Sequence, residues 1–282
     1  MITIEHVSFS YPRAKRPLFE DFSLDLEQGK VYGLLGKNGV GKSSLLYLMT
    51  GLLTPKRGQI LFHQTNVRKR LPVTLRDLFL VPEEFELPAV PLMRYVELNG
   101  GFYPRFSKED MMKYLELFEM DTDVNLGALS MGQKKKVFMS FALATNTAFL
   151  IMDEPTNGLD IPGKSQFRKF MAAGMSDEKA MIISTHQVRD VDKILDHVIL
   201  MDYSKILLNE STARINDVLL FDEVDALSAD VIFSQPSMHG YSVMLPNGGG
   251  EAGEINLEVL FNATLAVPER ITELFHPHTV AL

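Results

Sequence analysis

The chain has 282 residues, 46% of them apolar, which suffices for one large core with a smaller appendage but hardly for two full catalytic domains. Its 28 basic and 36 acidic residues leave a formal charge of −8, a field that repels polyanions and argues against sequence-independent nucleic-acid binding, so a phosphate ligand must be captured locally. The absence of cysteine excludes disulfides, thiolate metal sites and cysteine nucleophiles, and agrees with a reducing compartment.

Met1-Ile-Thr-Ile-Glu-His lacks a basic start followed by an apolar stretch, so no secretory leader is expected. No apolar run approaches the roughly 20 residues that span a bilayer, and a soluble chain is expected. Residues 2–9 alternate with β-branched and aromatic side chains and read as a strand. Val31-Tyr-Gly-Leu-Leu is a second, short strand ending at Gly36, and Ser43 to Met49 is apolar at helical spacing up to Gly51. Between strand and helix lies Gly36-Lys37-Asn38-Gly39-Val40-Gly41-Lys42-Ser43, with Ser44 following. Its bland reading is a glycine turn with Lys42 solvated. The strand before and helix after favour a phosphate loop, in which glycines turn successive N–H groups inward at the positive end of the helix. Lys42 would then reach the β and γ phosphates of ATP, and Ser43 would offer a hydroxyl to Mg²⁺.

Further along, residues 104–120 carry Phe106, Met111, Tyr114, Leu115, Leu117 and Phe118 at helical spacing after the breakers Gly100-Gly101 and Pro104, which predicts a helical insertion. Ala148 to Met152 and Ala180 to Ser184 are buried apolar runs separated by a helical stretch, as parallel strands joined by a crossover would be. The first ends in Asp153-Glu154, two carboxylates where α/β sheets put their ligands. Asp153 fits the Mg²⁺ shell, and Glu154 fits the group that orients or deprotonates the attacking water. Without the phosphate loop, the pair would read as a solvated strand end. His186 follows the second run, and a neutral imidazole there can contact the γ phosphate; alone it would read as structural. From about residue 204 short strands and then an amphipathic helix near Leu257 to Leu265 predict a C-terminal appendage, with Gly248-Gly249-Gly250 as a hairpin tip.

Leu129-Ser130-Met131-Gly132-Gln133 resembles, with one substitution, the signature segment of ATP-binding cassette (ABC) proteins. The resemblance runs from about residue 2 to 202 and takes in the phosphate loop, Asp153-Glu154, Asn157-Gly-Leu-Asp160 and His186 in the family's order. It implies an α/β fold: a phosphate-loop NTPase core, an N-terminal antiparallel β subdomain, a helical signature subdomain over about 84–140 and a small α+β appendage. The corresponding domains are 1–203 and 204–282. It also implies an ATPase that dimerises head to tail, as a homodimer or with a paralogous ATPase subunit. Each ATP is then sandwiched between one chain's phosphate loop and the other's Ser130, Met131, Gly132 and Gln133. Asp160 resembles the residue lining that seam. Tyr11 resembles the aromatic under the adenine, although it equally reads as a strand aromatic.

This sequence departs from the family pattern twice. Met131 replaces a glycine, and Leu80-Val-Pro is followed by Glu83 where a Mg²⁺-contacting glutamine is usual. A cassette of this kind resembles subunits that dock beneath an integral membrane permease, here through residues 84–118, and that sit peripherally on the cytoplasmic face of the cell membrane. Phe102-Tyr-Pro-Arg-Phe106 and the tail at Leu257-Glu-Val-Leu-Phe261 resemble partners of exporter-type permeases, though the aromatics equally read as insertion core. The competing class, a soluble cassette ATPase acting on ribosomes or DNA, usually shows tandem cassettes or basic arms. The short cluster Arg68-Lys-Arg70 is no substitute for these, and no nucleic-acid partner is expected.

Overall fold

The computed structural model describes residues 1–250 and 253–276. Strand β1 (Ile2–Phe9) pairs antiparallel with β2 (Phe19–Leu26), as the alternation of Ile2, Ile4, Val7 and Phe9 inward requires. β3 (Val31–Leu35) then enters a different sheet and leads through the glycine loop into α1 (Lys42–Met49). The chain returns to the first sheet with β4 (Arg57–Phe62) and β5 (Thr65–Asn66), closing it in the order β2-β1-β4-β5. A short helix α2 (Pro72–Leu75) precedes β6 (Leu78–Val81).

The helical subdomain follows: α3 (Leu92–Gly100), α4 (Lys108–Leu117) and α5 (Met131–Ala144). Ser107 caps α4 by accepting the N–H of Asp110, which explains why that helix starts where it does. β7 (Phe149–Asp153), α6 (Ile161–Gly174), β8 (Ala180–Thr185) and β9 (His197–Asp202) complete the parallel part of the central sheet. Its order is β10-β9-β3-β8-β7-β6, with β10 (Lys205–Ser211) antiparallel on β9.

Both faces of this sheet are covered, which is why its strands read as continuous apolar runs. Phe149, Ile151 and Ile182 join a core with α1 and the antiparallel sheet, while the alternating Leu150, Met152, Met181 and Ile183 join a second core with α5 and α6. After α7 (Thr212–Val218), an antiparallel sheet of β11 (Leu219–Val224), β12 (Phe233–Ser237) and β13 (Gly240–Pro246) carries α8 (Leu257–Ala266) and α9 (Pro268–Phe275). α8 packs on β12, on β13 and on the turn Val188–Asp190.

Two expectations change. The boundary placed at 203/204 falls in the turn between β9 and β10, because β10 is hydrogen-bonded into the central sheet rather than opening a new unit. Gly248 to Gly250 is not a hairpin tip. The β12–β13 pair closes Ser237 on Gly240 around Met238-His239, and the glycine run follows β13.

Candidate active site

Four parallel strands end on one edge of the central sheet. β3 runs into the loop from Gly36, β8 into His186, β7 into Glu154 and β6 toward Glu83. Parallel strands separated by crossovers put their C-terminal ends together, so residues far apart in sequence share one cavity. That cavity, about 460 Å³, is lined by Tyr11, Leu18, Asn38, Gly39, Gly41, Lys42, Ser43, Ser44, Glu83 and Glu154. A larger one, about 520 Å³, lies between Val188 and Asp192, β11 and the start of α8, and none of the predicted site residues lines it.

The loop leaves β3 at Gly36, and Gly41, at φ 109°, forms the N-cap of α1 in a left-handed conformation that only glycine adopts without strain. A side chain there would also press on Phe19 and Leu18. Lys42 folds back over the loop and donates to the carbonyls of Gly36 (2.8 Å) and Lys37 (3.2 Å), with Glu154 Oε1 at 3.7 Å. Burial pushes its ammonium below the ordinary lysine range, against the opposing fields of Glu154 and Asp153. Val40 is buried in the antiparallel-sheet core, and Lys37, Asn38 and Gly39 are exposed. The Tyr11 hydroxyl meets Ser44 Oγ at 2.9 Å, and its ring, nearly perpendicular to that of Phe9, lines the cavity.

Asp153 is almost wholly buried and accepts a short hydrogen bond from Ser184 Oγ on the neighbouring strand. Glu154, also buried, has φ 44°, a left-handed conformation rare for a residue with a side chain and typical of strained functional sites. Its carboxylate is held on both oxygens. Oε2 accepts from Thr185 Oγ1 (3.0 Å), and Oε1 accepts the backbone N–H of His186 (3.1 Å) and faces the imidazole Nδ1 (2.8 Å). Because a carboxylate only accepts, Nδ1 carries the proton, and a neutral ring leaves Nε2 bare. In this structure the imidazole thus faces Glu154, and His186 does not line the cavity over the phosphate loop.

The signature residues lie elsewhere. Ser130 and Gln133 form a capping box on α5: Gln133 N–H donates to Ser130 Oγ (3.3 Å), and Ser130 N–H donates to Gln133 Oε1 (3.0 Å). The Ser-x-x-Gln spacing announces that box in the sequence. Met131 is 57% exposed on the first turn, so the side chain in place of a glycine is accommodated without displacing its own chain. Gly132 sits so near the carbonyl of Gly158 that a Cβ would stand 2.9 Å from it. Asp160 caps α6 by accepting the N–H of Gly163.

Sequence reading missed a polar chain behind the site. Asn157 Nδ2 donates to Glu83 Oε1 (2.9 Å), Gln187 Nε2 to Asn157 Oδ1 (2.9 Å), and Lys164 Nζ to Gln187 Oε1 (3.0 Å). It also missed Lys135, 2% exposed, whose ammonium donates to the backbone carbonyls of Glu154 and Asn157. No local pattern marks Lys135, Lys164 or Gln187.

A glycine loop at a helix start, closed by a lysine and facing carboxylates at the end of an adjacent parallel strand, defines the class of phosphate-loop nucleoside triphosphatases. The ABC transporter family model matches residues 19–157. The high-affinity zinc uptake system ATP-binding protein of Bacillus subtilis is 30% identical over 220 residues, 72% of this chain and 91% of the relative. The SkfA peptide export ATP-binding protein of the same organism is 29% identical over 199 residues, 67% and 80% of the two chains. A solved ATP-binding subunit of an ABC transporter shares the fold at TM-score 0.68 and 21% identity, over 77% of this chain and 92% of that one. The chain belongs to the ABC transporter ATP-binding family. It binds ATP and is an ATPase that serves transport; nothing favours action on ribosomes or DNA. Among the described residues no helix is long and apolar enough to cross a membrane.

Proposed function

We propose that this chain is half of a head-to-tail cassette dimer that drives a separate permease, and that the cavity over the phosphate loop is the cis half of each ATP site. One observation carries the reading: Tyr11, the loop from Asn38 to Ser44, Glu83 and Glu154 line the cavity, and none of Ser130 to Gln133 does. A second copy, or a paralogous ATPase subunit, then supplies Ser130 and the N–H of Gly132 at the positive end of α5 to the γ phosphate, with Asp160 at the seam.

In this reading the N–H groups of Gly36 to Ser44 and the Lys42 ammonium hold the phosphates, and the Tyr11 ring supports the adenine. Glu154 takes the proton from the attacking water or orients it in line with the leaving phosphate. His186 and Thr185 hold that carboxylate in its rotamer, which lowers the cost of organising it for each turnover.

The donor set also fits Mg²⁺. Ser43, Glu83 and Asp153 offer hard oxygens, the donor type that suits a cation that keeps waters and borrows phosphate oxygens. Ser43, Glu83 and Asp153 would hold it; when bound it would neutralise charge on the transferred phosphoryl group.

Residues 84–118 dock beneath an integral membrane permease of exporter type, with Leu98 and Phe102 exposed on that side, and the chain works peripherally on the cytoplasmic face of the membrane. No nucleic-acid partner enters this reading.

The test is Glu154→Gln. With Mg²⁺ and ATP, the variant should elute as a stable dimer in size-exclusion chromatography and turn over negligibly; wild-type turnover would refute the assignment of Glu154. Pull-down from solubilised membranes should recover one polytopic partner in stoichiometric amount, and ribosomal proteins in its place would overturn the permease reading.

A further inference from the structure

Lysine is seldom fully buried unless it is paired, and the buried Lys135 ammonium is held by main-chain carbonyls. Its Nζ donates to two main-chain oxygens, of Glu154 at 3.0 Å and of Asn157 at 2.9 Å. Burial lowers its pKa, and the surrounding fields of Glu83, Glu154 and Asp153 act in the opposite sense, helping to hold the charge.

The two carbonyls are specific ones. The first belongs to the peptide that follows Glu154, so gripping it fixes ψ of a residue whose φ of 44° is already left-handed. The second belongs to Asn157, whose side chain holds Glu83 and Gln187. The same face of α5 touches this loop twice more: Gly132 lies against the Gly158 carbonyl with no room for a Cβ, and Lys136 Nζ stands 3.9 Å from Asp160 Oδ1. The first two turns of the helix that begins at Ser130 are thus fastened along residues 154–160.

We propose that Lys135 is a positioning residue for hydrolysis, tying the Glu154 carboxylate to the helix that Ser130 begins. The proposal rests on Glu154 being the group that activates water. Its consequence is that a partner's phosphate engaging Ser130 is felt at this chain's own Glu154, because α5 cannot shift without carrying the loop.

The experiment compares Lys135→Met, Lys135→Arg and Glu154→Gln for steady-state hydrolysis, binding of a fluorescent ATP analogue and ATP-dependent dimerisation. Lys135→Met should lower kcat by about 100-fold, the scale set by misplacing a reacting group by about an ångström. KM and analogue binding should stay within about threefold of the native chain, and Lys135→Arg, which can span both carbonyls, should recover at least a tenth of the native kcat. If Lys135→Met yields no folded protein, Lys135→Gln should give the same split of kcat from KM. The proposal is overturned if the Met or Gln variant keeps kcat within about twofold of the native value. It is equally overturned if kcat and nucleotide binding fall together in proportion to lost folded protein, since the lysine then serves the fold alone. Glu154→Gln separates the two ideas: native turnover there refutes the Glu154 assignment itself, whereas an inactive Glu154→Gln beside a fully active Lys135→Met refutes only the role of Lys135.

Discussion

Asn157 and Glu83 are joined side chain to side chain, Nδ2 to Oε1 at 2.9 Å, across the gap between the loop after β6 and the loop after β7. The bond explains how a carboxylate is tolerated where the family pattern has an amide: its acceptor oxygen has a donor waiting. The charge it adds beside the phosphate loop is not cancelled by that bond.

Replacing Glu83 with Gln should therefore keep the bond to Asn157 and remove the charge. Stability should change by less than about 0.5 kcal/mol. Affinity for ATP without Mg²⁺ should rise about fivefold, since one repulsion between partly solvated charges is lifted. The Mg²⁺ concentration for half-maximal hydrolysis should shift as well. A Mg²⁺ titration superimposable on that of the native chain would count against any influence of Glu83 on metal or nucleotide.

His186→Ala removes the imidazole from Glu154 Oε1 but leaves the Thr185 hydroxyl and the backbone N–H. Nucleotide binding should hold within a few-fold while kcat falls by about 100-fold, the scale set by misplacing a reacting group. Stopped-flow phosphate release after pre-binding ATP would separate the two effects; an unchanged burst would mean that the ring is only structural.

Lys179 gives a pH prediction away from the site. It is buried, donates to Asn146 Oδ1 (3.1 Å) and the Gly174 carbonyl (3.0 Å), and burial pushes its pKa from 10.5 down to about 8. Between those values the unfolded chain holds a proton that the folded chain has released, so this group favours folding more as pH rises through the window. Urea unfolding of the native chain and of Lys179→Met should show the native chain gaining on the variant between pH 7 and pH 10, by on the order of 2 kcal/mol. Parallel stability curves would contradict the burial argument.

Gly58 tests the fold without touching the chemistry. At φ 75° in β4 it faces the irregular stretch of β1 between Glu5 and Ser8, and a Cβ there would stand 2.3 Å from the carbonyls of Glu5 and His6. Gly58→Ala combines a strained φ with a backbone collision and should cost about 2–4 kcal/mol. Thermal unfolding reads the loss directly, and the kcat of the folded fraction should stay native.

Much of this architecture is legible from local pattern, for identifiable reasons. β3, β7 and β8 are buried on both faces, so they read as unbroken apolar runs, and each is closed or followed by a residue that breaks the run: Gly36, Asp153, His186. What stays hidden depends on pairing at a distance. Lys135 looks like one of three solvated lysines in a row, and only the approach of α5 to the loop after β7 turns it inward. The Met238-His239 turn carries none of the usual tight-turn residues at its centre, which is why the glycines beyond β13 attract the eye instead. β10 shows the same limit, because pairing with β9 leaves no mark in composition.

The place of β3 in the central sheet bears on the order in which the protein is made. Its hydrogen-bonded neighbours are β8 and β9, and neither exists until residues 180–202 have been synthesised. A nascent chain emerging from the ribosome carries the whole nucleotide-gripping loop long before it has the strands that flank its base. Closure waits on contacts of high sequence separation, the slow kind in folding. A chain released before Ala180 should therefore be a client of chaperones and proteases rather than a small ATP-binding protein.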